Sequence, residues 1–142
     1  RMLQNTGPGM FRCAFTIESD TRYLAVLRGL IPAAFAAAGM GRAPRAARVA
    51  CTLALIEAVD NAIFHAHRRA RGLPICVSVA LSPKRISIEV ADCGRGIGRR
   101  PGVCPDSMET HGRGLFLIHR LMPAVASRMK RGRHTLSMVY PL

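Results

Sequence analysis

The chain has 142 residues, 49% of them hydrophobic, with 21 basic and 8 acidic side chains and a net charge of +13. That length suits one domain, and that apolar content builds a core without help from disulfides. No run approaches the roughly 18 uninterrupted apolar residues of a membrane span, which excludes a spanning segment on sequence grounds.

In chain order, the first ten residues lack the apolar stretch of a signal peptide and are expected to be flexible, with the cytoplasm as the default location. Phe11 to Ile17 alternates and predicts an edge strand. Ser19 or Asp20 caps a helix running to about Ala38, which Gly39 and Gly41 end. Pro44 suits the first turn of a second helix through Val49, Leu53, Ile56 and Ile63, which are expected to face the core. That helix should reach about Arg69 before Gly72 and Pro74 break it. Ile75 to Leu81 and Arg85 to Ala91 alternate around Ser82-Pro83-Lys84, a hairpin pattern. Gly94 to Arg113 is rich in Gly, Pro and polar residues and reads as a long loop. A helix over Gly114 to Leu121 and two closing strands, Ala124 to Met129 and His134 to Tyr140, complete the chain. The order predicts an α/β two-layer sandwich, one mixed, mostly antiparallel sheet with helices on one face.

Three blocks carry chemistry. Glu57 and Asn61 are four apart, with His65 four further on, so all three share a helix face. Taken alone such a pair is ordinarily just polar helix surface; it also has the makings of a base beside a hard-oxygen metal ligand. Asp92-Cys93-Gly94-Arg95-Gly96 closes a strand. It is either a plain tight turn or an adenine-reading carboxylate with glycines that let backbone approach the base. Gly112-Arg113-Gly114-Leu115 precedes a helix. It is either a simple joint or a phosphate-binding turn at a helix N-terminus, with Arg113 adding charge. Neither a dinucleotide fingerprint nor a lysine-bearing phosphate loop is present.

The order of the blocks is more specific than any one of them. Glu57-Ala58-Val59-Asp60-Asn61-Ala62-Ile63-Phe64-His65, Asp92-Cys93-Gly94-Arg95-Gly96-Ile97 and Gly112-Arg113-Gly114-Leu115-Phe116-Leu117-Ile118 resemble the N, G1 and G2 boxes of the GHKL (Bergerat-fold) ATPases, which include gyrase and sensor histidine kinases. Within them the chain is most similar to the bacterial anti-sigma factor serine/threonine kinases. The resemblance spans about Phe11 to Tyr140 and implies a single histidine kinase-like ATP-binding domain over residues 1–142 with ATP and Mg²⁺ as cofactors. It implies that Glu57 is the general base and that Asn61 binds Mg²⁺. Asp92 would read adenine, with Gly94, Gly96 and Ile97 beside it. Residues 97–113 would form the ATP lid, and Gly112, Arg113, Gly114 and Leu115 would hold phosphate. Thr135 stands where the family often has a threonine that helps the adenine contact, although Arg133-His134 replaces the usual glycine-rich approach. The implied partners are a sigma factor and a STAS-type anti-anti-sigma protein that is phosphorylated on serine; homodimers are common in the family.

Some features depart from that pattern. The lid carries Pro101, Cys104, Pro105 and Arg99-Arg100, where acidic, glycine-rich lids are expected. The basic charge is almost all arginine, spread along the chain with little aromatic interleaving, which disfavours direct nucleic-acid binding and suits either an acidic protein partner or a solvated surface. His65 and His67 are expected to be structural, His67 on a solvent-facing turn. The five cysteines are scattered and never form a C-x-x-C pair, which indicates reduced thiols rather than a zinc site or disulfides. Three readings therefore stand: a serine kinase and anti-sigma factor, an ATP-binding interaction module without kinase activity, and an ATP-driven enzyme acting on nucleic acid.

Overall fold

The computed structural model describes residues 2–4, 9–68, 70–93 and 112–142. Six strands form one sheet in the order β1-β2-β3-β4-β6-β5: β1 (Met2–Gln4), β2 (Phe11–Glu18), β3 (Pro74–Leu81), β4 (Arg85–Asp92), β5 (Ala124–Lys130) and β6 (Arg133–Pro141). All five pairings are antiparallel, so the expected mixed sheet is antiparallel throughout its described pairs. β2 is not the edge strand the alternation suggested, because β1 pairs outside it through Met2↔Ala14. The helices are α1 (Leu24–Ala37), α2 (Arg45–Asn61) and α3 (Gly112–Leu121). α2 packs between α1 and α3.

Alternation decides which side of the sheet the helices cover. Ile75, Val77, Val79 and Leu81 of β3, with Ile86, Ile88 and Val90 of β4 and Leu136 and Met138 of β6, are buried on the helix side. One row runs Cys13↔Val79↔Ile88↔Met138 across four strands. Leu27, Ile31, Ala34 and Phe35 of α1 and Ala47, Cys51, Ala54, Leu55 and Val59 of α2 close that core. Each large side chain there contributes about 1.5–3 kcal/mol. Among the described residues no element covers the opposite face of the sheet, which carries Thr16, Cys76, Ser78, Glu89 and Thr135.

Local chemistry explains the element ends. Asp20 Oδ1 accepts from the Arg22 amide at 3.0 Å and caps the short 3₁₀ turn Thr21–Tyr23 that leads into α1. Ser19 is buried instead and ties the strand end to β3 through its amide and the Leu73 carbonyl. α1 ends at Gly39, whose φ of +71° suits glycine. The Gly39 amide bonds the Ala36 carbonyl and the Met40 amide bonds that of Phe35, the paired bonds of a Schellman ending. Arg131 and Gly132, both at positive φ, make the tight two-residue turn that joins β5 to β6.

Two expectations for the second helix are corrected. Val49 and Leu53 do not face the core; they are 45% and 43% exposed. Ile56 is half-buried, and of the four only Ile63 is buried. The buried stripe is made of small residues, Ala47, Ala50, Ala54 and Ala58, with Leu55 and Val59, because α2 lies close against the sheet and two helices. The α-helix also stops at Asn61 and continues as one π turn, Ala62–Ala66. The run Arg45–Ala66 is long and apolar enough to cross a membrane by composition. Half of its most apolar window is buried inside the protein, as in a core helix.

Candidate nucleotide site

The site gathers where α2, β4, β6 and the start of α3 meet. Asn61, at the last α-helical position of α2, is buried, and Glu57 one turn earlier is half-buried. α3 begins at Gly112, so the glycine block forms the first turn of the helix rather than preceding it. A Cβ placed on Gly114 would lie 2.7 Å from Glu57 Oε2 and 2.9 Å from Asn61 Oδ1. Only a residue without a side chain lets the first turn of α3 approach this carboxylate and amide so closely. Leu115 turns into the core and anchors that turn. Within the first turn of a helix, backbone N–H groups have no intrahelical acceptor and can receive an anion.

Glu57 has the electrostatics of a base. Burial pushes its carboxyl above the ordinary glutamate range, and the neighbouring Asp60 charge adds to the shift. A carboxylate raised toward neutrality is a better proton acceptor than a fully solvated one.

Beyond Asn61 opens a narrow cavity lined by Ala58, Ala62 and Ala66 on one wall and by Val90, Asp92, His134 and Leu136 on the other, with His65 also on its lining. Three alanines four apart leave a flat, methyl-lined wall, and Val90 and Leu136 face it from the sheet. Among the described residues its one carboxylate is Asp92, buried at 4% exposure. Its direct cross-strand partner is His134, equally buried, whose Nδ1 lies 3.3 Å from Asp92 Oδ2. His134 Nε2 in turn lies 2.6 Å from Ser127 Oγ. A tautomer with the proton on Nδ1 donates to the carboxylate and leaves Nε2 to accept the serine proton. Both ring nitrogens are thus partnered, and the Asp92 side chain is held at the inner end of the cavity.

Thr135 is not part of this cavity. Side chains alternate along β6, so His134 and Leu136 face the helices while Thr135 joins Cys76, Arg128 and Arg133 on the open face. The residue beside Asp92 is therefore His134, one position earlier than the sequence reading placed it. Counting β6 back from the apolar Leu136 and Met138 would have found it.

The π turn sets the far end of the site. His67, expected on a solvent-facing turn, is buried at 4% exposure. Its Nε2 accepts from the Cys93 amide at 3.0 Å, and its Nδ1 has no hydrogen-bond partner among the described residues. Burial lowers its pKa from the ordinary histidine value, partly opposed by the Asp92 charge. A neutral His67 thereby fixes the residue that follows Asp92. His65 is exposed.

Gly94, Gly96 and Ile97, and the expected lid up to residue 111, lie outside the described residues. Gly112 and Arg113 are described as helical backbone. Among the described residues no group of three or more His, Cys, Asp or Glu side chains comes together to hold a metal; a hard cation would rely on Asn61 Oδ1 and on ligand oxygens. Cys13, Cys51, Cys76 and Cys93 are free thiols. Burial pushes Cys51 up to about 12, which makes it inert.

Residues 17–140 match the family model for the histidine kinase-like ATPase domain. The chain belongs to this family. Among curated proteins none matches the sequence. Among solved structures it is similar to the crystal structure of the RsbU and RsbW domains of Rv1364c from Mycobacterium tuberculosis, with a TM-score of 0.63 at 19% identity. That likeness covers 91% of this chain and 31% of the other, so the chain spans about a third of that protein. At this identity it supports the fold: an open antiparallel sheet with helices on one side, as the order of elements predicts. Membership of the histidine kinase-like ATPase family implies ATP as the ligand of a pocket with these walls.

Proposed function

We propose that the protein is an ATP-dependent serine kinase that acts as an anti-sigma regulatory factor. The observation that carries this is the convergence of three separate blocks: Gly114 against Glu57 and Asn61, with Asp92 in the adjoining cavity. The residues fit the ligand on two counts. The bare Gly114 leaves a cradle that a Cβ would fill, and a buried carboxylate, Asp92, shares its cavity with three alanines, Val90 and Leu136. Asp92 would accept from the adenine amine, with Gly94, Gly96 and Ile97 alongside. Asn61 Oδ1 would hold Mg²⁺. The first-turn amides at Gly112, Arg113, Gly114 and Leu115 would receive phosphate oxygens. Bound Mg-ATP supplies the phosphoryl group and much of its charge neutralisation.

The chain's own part is positioning and proton removal. Glu57 takes the proton of the partner's serine hydroxyl, a task its raised pKa suits. Family membership and the RsbW-domain likeness support the regulatory reading. In it a sigma factor and a STAS-type anti-anti-sigma protein are the two partners, and the latter is phosphorylated. The other reading, an ATP-binding interaction module without transfer, shares the same pocket and differs only at Glu57.

Titration calorimetry with Mg-ATP and ADP tests the pocket. Wild type is expected to bind and Asp92→Asn to lose at least about tenfold, roughly 1.4 kcal/mol. Transfer of labelled phosphate to a STAS-type protein, absent in Glu57→Gln, then separates kinase from module. Binding without transfer by wild type supports the module, and no binding by folded protein rejects both.

A further inference from the structure

The outward side of the helix layer is built unlike an ordinary solvent face. From Thr21 to Ile56 the sequence has five arginines and no acidic residue. The exposed positions of α1 include Ala25, Val26, Gly29, Pro32, Ala33, Ala36 and Ala37, with Arg28 the one charged residue of that helix. Val26 is 69% exposed. Beside α1, Val49 and Leu53 of α2 point away from the core. A helix that is apolar around its whole circumference is normally covered on all sides. Between the two helices runs a groove of about 360 Å³, open to solvent and lined by Arg28, Pro32, Arg45, Arg48, Val49, Thr52 and Leu53. Its floor is apolar and its rim cationic. Arg48 is tied down, donating to the carbonyls of Gly41 and Ala43. Arg28 and Arg45 form no ion pair among the described residues.

We propose that this groove docks an acidic amphipathic helix of a protein partner. Its apolar stripe would lie over Val49 and Leu53, and its carboxylates would meet Arg28 and Arg45. The charge pattern selects this occupant. A second copy of the chain would set arginine rim against arginine rim, with no acid in either segment to relieve the repulsion. Nucleic acid would leave the Val–Leu–Pro floor without an apolar partner, and a concave groove matches a helix better than a flat bilayer. The surface lies on the half of α2 before Glu57, so the inference stands apart from the nucleotide reading.

The test uses a synthetic helix of about 18 residues, five turns long, with leucines at i, i+3, i+4 and i+7 flanked by glutamates, and a control in which lysines replace the glutamates. Fluorescence anisotropy at about 0.15 M salt should give a micromolar Kd for the acidic peptide and none for the control. Val49→Ser with Leu53→Ser, and separately Arg28→Glu with Arg45→Glu, should each weaken binding at least tenfold while the melting midpoint and the Mg-ATP titration stay unchanged. Arg128→Glu, on the open face of the sheet, should have no effect. Failure of wild type to bind overturns the proposal, as does loss in the arginine variants alone, which would mean nonspecific charge attraction. A wild-type dimer dispersed by Leu53→Ser in sedimentation would make a second copy the occupant, and anionic vesicles bound through Val49 and Leu53 would make it a membrane; either overturns it too.

Discussion

The two halves of α2 use one helix for opposite purposes. From Arg45 to Ile56 the helix has arginines but no acid, and it turns Val49 and Leu53 outward. From Glu57 onward it carries Glu57, Asp60 and Asn61, and its small residues line a cavity. Both halves bury an alanine-rich stripe on the sheet side, so the fold itself does not distinguish them. The difference lies in what each half offers on its remaining faces: an apolar surface rimmed by cations in the first, and a half-buried carboxylate beside a buried amide in the second. A helix packed by alanines sits close to its neighbours, which frees larger and polar side chains for surfaces that meet other molecules.

The strongest way to separate the halves is to remove the Glu57 carboxylate, the proposed base. Glu57→Gln is expected to lower phosphotransfer about 10²–10⁴-fold, with Mg-ATP affinity within about twofold by calorimetry. Next comes a pair two residues apart. Leu55→Ala, at a fully buried site, should cost about 2–5 kcal/mol in denaturant unfolding. Leu53→Ala, at an exposed one, should stay within about 0.5 kcal/mol. Equal effects would erase the distinction between the faces.

His67→Ala should cost about 1–3 kcal/mol, because it strands the Cys93 amide. The pH dependence has a definite sign. Burial holds His67 below its ordinary value of 6.5. As pH falls below that value the unfolded chain takes up the proton first, so this stability is present at neutral pH and lost on acidification. His67→Ala should flatten that part of the pH–stability curve. Gly114→Ala gains helix propensity of about 1 kcal/mol but presses on Glu57 and Asn61. Stability should change little while kcat drops about tenfold, or 1.4 kcal/mol. The smallest effect concerns Glu57 again. Its carboxyl titrates above the ordinary 4.5, so the folded chain holds a proton that the unfolded chain has already released. The site loses stability as pH rises through that window, and at neutral pH Glu57→Gln should raise the melting midpoint by about 1–3 °C, after allowing for solvent screening.

Local signals read well in the sequence. The β3–β4 hairpin, the Asp20 cap, the glycine ending of α1 and Pro44 before α2 all follow from short-range rules, and each is present. The blocks holding Glu57, Asn61, Asp92 and Gly114 were legible because their order is distinctive, and these four come together. What stayed hidden depends on tertiary packing. Val49 and Leu53 looked like core by hydrophobicity, whereas close packing against three neighbours selects alanine. Thr135 was placed in the pocket by position, but the strand register assigns that place to His134. Neither the π turn nor the pairing of Met2–Gln4 leaves a periodic trace, so both were missed.

The π turn at Ala62–Ala66 also has an evolutionary reading. A five-residue turn stores one residue more than a regular helix requires, like a spacer inserted into a gear train. Deleting one residue there would remove that surplus and leave a regular α-helical turn in its place. It would also shorten by one residue the chain that carries His67 to the Cys93 amide, the contact that holds the end of β4. Homologues with a single-residue gap at this point should have remodelled the contact between this turn and the strand end that carries Asp92.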